Sequence, residues 1–117
     1  MELAPDFYMY TVNKVGYMSS KPEEIAAYMK TIKRPWIGFK VLGAGRDKPG
    51  EGFLHAFQKG ADFICVGMFD WQVRDDVAMV QEMITKGIER ERPWETWSLR
   101  QKFSKEYKER IDKIFLY

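Results

Sequence analysis

The sequence predicts an α/β fold made of three parallel strand–helix units, and three observations carry that prediction. Short runs rich in aromatic and β-branched residues alternate three times with stretches of helical apolar spacing. Helix patterns carry start and stop residues at their ends. The middle run, WIGFKVLG at 36–43, is apolar throughout apart from Lys40, as expected of a strand covered on both faces. Alternation of this kind implies parallel strands joined by right-handed crossovers.

The first strand is expected over 6–12, DFYMYTV. The helix after it is signalled over 19–32 by Ser20 as N-cap, by Pro22 in the first turn and by Glu23 and Glu24. Ile25, Tyr28, Met29 and Ile32 then recur at helical spacing and define one apolar face. The second strand is expected over 36–43; Phe53, Leu54 and Phe57 mark the next helix, which Gly60 stops. DFICVGMF, from residue 62, is the third strand, and Val73, Val77, Val80, Met83 and Ile84 mark a third helix ending at Gly87. RERPW then breaks the pattern. Trp97, Phe103, Tyr107, Ile111, Ile114 and Phe115 return at spacings of three and four, which predicts a C-terminal amphipathic helix. We therefore divide the chain into 1–88, the strand–helix units, and 89–117, a helical extension that docks over an edge or meets a partner or membrane surface.

Composition narrows the class. With 117 residues, of which 45% are hydrophobic and 15% aromatic, the chain is a globular domain with a real core. A net charge of +2 gives no reason to expect nucleic acid as a partner. No run approaches the roughly 20 apolar residues of a membrane span, and MELAPDFYMY lacks the basic start of a secretory signal. A single cysteine, Cys65, excludes an internal disulfide and fits a reducing, cytoplasmic setting. His55 has no second histidine or cysteine at ligand spacing, so neither a metal nor another cofactor is called for.

PWIGFKVLGAG followed by GFLHAFQKGADFICVGMF resembles the cyclases of the imidazole glycerol phosphate synthases, which also place a Gly-Ala-Gly turn after strand seven and Gly-Ala-Asp before strand eight. IGFKVLGAGR resembles the segment of the deoxyribose-phosphate aldolases in which a lysine precedes a glycine pair and an arginine. More broadly, residues 6–94 are similar to the C-terminal part of a group of predicted TIM-barrel proteins with a PW-aliphatic-x-FKVL signature. The resemblance implies that the fold is a (βα)₃ segment, strands six to eight, of a phosphate-binding (β/α)₈ barrel. A full barrel takes about 200 residues or more, so the chain is expected to be a fragment, or to be completed by a missing N-terminal part or by self-association.

In such barrels chemistry sits at the C-terminal ends of the strands. There this sequence places Gly43, Gly45 and Arg46 after the second strand, with Gly67 and Asp70 after the third. The resemblance makes Gly43, Gly45, Arg46 and Gly67 candidates for holding the phosphate of a small anionic substrate, since glycine lets backbone N–H groups come close; alternatively, each glycine only permits a turn. Strand alternation puts Ile37, Phe39 and Val41 toward the helices and Gly38, Lys40 and Leu42 toward the interior. Lys40 is then an active-site candidate, or else an ion-paired or snorkelling lysine. Asp70 is a candidate general base or partner of Lys40, or a turn residue that caps the helix. In the aldolases the matching lysine assists a Schiff-base lysine on the preceding strand. DFYMYTV contains no lysine, which argues against that chemistry here. Lyase, aldolase-like or isomerase activity of a completed barrel remains the functional expectation, beside an assembly segment with no activity of its own.

Overall fold

A computed structural model describes residues 5–19 and 21–96. It contains β1 (Tyr8–Thr11), α1 (Pro22–Lys30), β2 (Trp36–Phe39), α2 (Pro49–Lys59), β3 (Phe63–Cys65) and α3 (Asp70–Lys86). The strands lie in sequence order and both pairings are parallel. Met9, Ile37 and Phe63 are in register, as are Tyr10, Gly38 and Ile64, and Thr11, Phe39 and Cys65.

Local chemistry accounts for the helix limits. α1 opens on Pro22, whose missing N–H costs nothing at that position, and places Glu23 and Glu24 at the positive end of the helix. Its N-cap position is held by Lys21; Ser20 lies outside the described residues. α2 also opens on a proline, Pro49, and it closes in a Schellman motif. The Gly60 N–H donates to the Phe57 carbonyl and the Ala61 N–H to that of Ala56. Gly60 makes this closure with φ of +117°, and a Cβ there would stand 2.5 Å from the Cβ of Arg92.

All three helices cover the same face of the sheet. Trp36 is fully buried and clusters with Val12, Met29, Val41, Phe53, Ala56 and Ala61, with Ile64, Val80 and Met83 packed around them. This reverses the side assignment expected for β2. Trp36 and Gly38 face the helices, while Ile37 and Phe39 look away from them. The large, buried indole decides the parity. Val41 nevertheless reaches the helix side, because the strand ends at Phe39 and Lys40 adopts φ of +54°, which interrupts the alternation. Each strand is shorter than its apolar run. The flanking residues leave the ladder to form turns, and the 6–12, 36–43 and 62–69 boundaries contract accordingly.

Among the described residues, nothing covers the opposite face of the sheet. Met9 is 48% exposed and Phe63 51%, with Cys65 exposed and Ile37 and Phe39 half-buried beside them. On α3 the inward stripe is narrower than the valine spacing suggests. Val80 and Met83 pack on the core, whereas Val73, Val77 and Ile84 remain exposed.

At the N-terminal ends of the strands, residues 88–96 pass back under the sheet and deliver two arginines. Arg92 is 2% exposed and uses every guanidinium N–H. Nε donates to the Met29 carbonyl at 2.9 Å, Nη1 to Gly60 O and to Asp62 Oδ2, and Nη2 to Ile32 O and Arg34 O. Arg90 donates to the carbonyls of Arg92, Phe57, Ala61 and Gly60 and to Asp62 Oδ1, while its guanidinium stacks 3.5 Å above the Trp94 ring. Several of these carbonyls lie at the C-terminal ends of α1 and α2, where a cation is favoured. Burial draws the Arg90 pKa down to about 10, with Asp62 opposing the fall and Arg92 adding to it. The group therefore stays charged near neutrality. Residues 97–117, where the further amphipathic helix is expected, lie outside the described residues.

Arg92→Met should lower unfolding stability by about 3–5 kcal/mol in urea denaturation, because it removes the nearer of the two cations paired with the buried Asp62 carboxylate. Adding Asp62→Asn should recover part of that loss. Additive losses would show that the two groups are not energetically coupled.

Candidate functional site

Parallel strands with helical crossovers gather their outgoing loops at one end, and the candidate residues collect there. The link from β1 to α1 and the link from β2 to α2 are joined by Asn13, which is only 2% exposed. Its Nδ2 donates to the carbonyls of Tyr17 at 2.9 Å and Lys40 at 3.0 Å, and its Oδ1 accepts the Tyr17 N–H at 2.8 Å. The side-chain amide is thereby saturated, and it holds the loop that follows β2 against the loop that follows β1.

That second loop has an unusual backbone. Gly43, Ala44 and Gly45 have successive φ values of +56°, +57° and +81°, a left-handed turn that only glycine enters without strain. Gly43 is packed, since a Cβ there would lie 2.5 Å from Val15 Cγ2, whereas Gly45 faces open space. The turn closes through Gly43 N–H to Lys40 O and Asp47 N–H to Leu42 O. Among the described residues no acceptor takes the N–H of Ala44 or Gly45. Arg46 donates one N–H to Gly43 O at 3.0 Å and lays its guanidinium 4.5 Å from the Tyr17 ring centroid. The Ala44 and Gly45 amides thus share the loop after β2 with the Arg46 side chain.

Lys40 stands at the start of this turn, half-buried, with its amine 5.3 Å from the Phe39 ring centroid. Because Phe39 belongs to the bare face, the ammonium lies on the side the helices leave uncovered. No ion pair joins it to Asp70 among the described residues. Gly67 and Asp70 lie at the same end of the sheet, in the loop after β3 and at the first position of α3. Asp70 is exposed and stands in the first helical turn, where its charge favours the helix dipole. The structure thus assembles Lys40, Gly43, Gly45 and Arg46 into one turn and leaves Gly67 and Asp70 in a second loop, with no bond between the two sets.

Sequence reasoning passed over Asn13 and Asp47. Lys14 pairs with Asp47 at 3.8 Å and with Glu51 at 3.5 Å, and Asp47 keeps a buried Oδ2 that no group among the described residues satisfies. An asparagine directly after a strand is the only signal that pointed to this hub. Tyr8 and Tyr10 both turn to the helix layer, where Tyr10 meets Tyr28 edge-on at 6.3 Å, and so they do not line the bare face. Cys65 is exposed, on the face the helices leave uncovered. His55 lines a small hollow of about 60 Å³ with Asn13, Trp36 and Lys59. Burial first, then the charges of Lys59 and Lys14, lower its pKa below 6.5. No group of histidine, cysteine and acidic residues able to hold a metal occurs among the described residues, and no helix there is long and apolar enough to cross a membrane.

No protein-family model, curated protein or solved structure matches this chain. The chain is an α/β unit with a three-stranded parallel sheet, helices on one face and a left-handed glycine turn at the strands' C-terminal end.

Two outcomes test this geometry. Asn13→Ala should destabilise the protein by about 1–3 kcal/mol, since it orphans buried backbone groups, and should shift the amide resonances of residues 40–46. For His55 the folded pKa lies below the unfolded 6.5, so the unfolded chain binds the extra proton. Stability should therefore fall as pH drops from about 6.5 toward the folded pKa, and His55→Gln should flatten that part of the pH–stability curve.

Proposed function

We propose that this chain is the strand-six-to-eight portion of a phosphate-binding TIM barrel, and that the completed barrel acts on a phosphorylated or other anionic small metabolite as a lyase, aldolase-like enzyme or isomerase. The observation that carries the reading is the one-sided sheet. Parallel strands with every helix on one face and an apolar opposite face are the wall of a barrel, whose inner face other strands would cover. The left-handed turn after β2 supports the anionic substrate, because Ala44 and Gly45 offer free amides and Arg46 a nearby cation. Gly43 shapes this turn from behind, and Gly67 leaves room in the adjoining loop. Lys40 would serve as the cationic or proton-carrying group, since its amine stands over the inner face, with Asp70 as general base at the rim.

The exposed Met9 and Phe63 also favour a second reading, in which the chain is an assembly module without activity of its own. Cytoplasmic residence belongs to both readings and rests on the lone cysteine.

An amide-resonance titration of the full chain with a small sugar phosphate separates them. The first reading expects saturable shifts at Ala44, Gly45, Arg46 and Gly67 that weaken about tenfold in Arg46→Ala, as loss of a charge-assisted contact should. Shifts confined to other residues, or none, remove the anion site and leave assembly as the function. In a completed barrel, Lys40→Met should fold normally and abolish turnover.

A further inference from the structure

On the helix side of the sheet, an open cavity of about 320 Å³ lies between α2, β3 and α3. Phe53, Ile64, Val66 and Val80 supply apolar walls, Gln81 stands among the lining residues, and Asp76 brings the only charge. Asp76 occupies the inward stripe of α3, one turn before Val80 and two before Met83, both of which pack on the core. It is 6% exposed, while Asp75 beside it is exposed. No hydrogen bond or ion pair reaches the Asp76 side chain from any described residue.

Asp76 is a carboxylate at a core-facing helical position that opens on this cavity with no cation beside it among the described residues. Buried acidic side chains are ordinarily paired. One carboxylate is too few ligands for a metal ion. The volume falls within the range of small-molecule pockets. Its single negative charge on an apolar surface selects a ligand of opposite charge and similar polarity.

We infer that this cavity binds a small organic amine, with a protonated ammonium on the Asp76 carboxylate and an aromatic or branched apolar body against Phe53, Ile64, Val66 and Val80. The site is independent of the left-handed turn after β2 and requires no particular reading of it. Ammonium and carboxylate form a charge-assisted hydrogen bond that a neutral ligand cannot reproduce.

The test is a binding titration of the full chain with 2-phenylethylammonium and, in parallel, with its neutral counterpart 2-phenylethanol, both followed by amide resonances and thermal shift. The amine should bind at least about tenfold more tightly than the alcohol. Asp76→Asn should remove that preference while still admitting both compounds, and Asp75→Asn, on the exposed side of α3, should change neither. Where Asp76→Asn does not fold, Val77→Trp decides, because an indole introduced at this half-exposed lining position should block amine binding. Equal affinity for amine and alcohol overturns the inference. So does an unchanged preference in Asp76→Asn, persistent amine binding in Val77→Trp, or no saturable binding of either compound.

Discussion

The buried charge cluster of Asp62, Arg90 and Arg92 is the constraint on which the rest of the structure depends. Asp62 takes the Trp36 N–H and an Arg92 N–H on one oxygen, and the Glu95 N–H with Arg90 on the other. Arg92 in turn reaches the last carbonyls of α1 and the linker that enters β2. One carboxylate and two guanidinium groups thereby fix the ends of two helices, the start of the middle strand and the segment after α3. Taking such charges out of water is expensive, and only the near-complete matching of donors to acceptors offsets it. The cluster consequently acts as a register device: a strand shifted by one residue would leave several of these groups unpaired.

The two ends of the sheet are built differently. The N-terminal end is closed by charged side chains that satisfy backbone carbonyls. The C-terminal end is closed by a neutral amide, Asn13, and by a left-handed turn in which no described residue takes the Ala44 or Gly45 N–H. Rigid closure below and unclaimed donors above are what a binding loop on a fixed scaffold requires. Between the two ends, Trp36 fills the space under α1 and α2, and its indole N–H reaches the Tyr10 carbonyl at 3.3 Å. The same side chain sets which face of the sheet is core.

That choice of face has a consequence for the apolar residues left over. Met9, Ile37, Phe39, Phe63 and Cys65 are ordinary inner-face residues for a closed barrel and awkward ones for an open three-stranded sheet. α3 shows a milder version of the same imbalance, with Val73 and Val77 uncovered and Asp76 turned inward. Apolar content therefore exceeds what these six elements can bury on their own.

Much of the architecture was legible in the sequence. Local signals carry it: prolines at the starts of α1 and α2, glycines at the ends of α2 and α3, and an alternation of patterns that permits only crossovers and hence parallel strands. The candidate turn around Gly43 and Gly45 was legible for the same reason, since glycine spacing reports backbone conformation directly. Tertiary structure alone decided the parity of β2, because Trp36, Ile37, Gly38 and Phe39 are all compatible with burial and only packing shows which pair the helices claim. It also decided that Lys40 leaves the strand, that Asn13 joins two loops 27 residues apart, and that Arg92 pairs with Asp62 across 30 residues. A sequence pattern records the near neighbours of a residue; the partners of a buried charge are chosen by the fold that surrounds it.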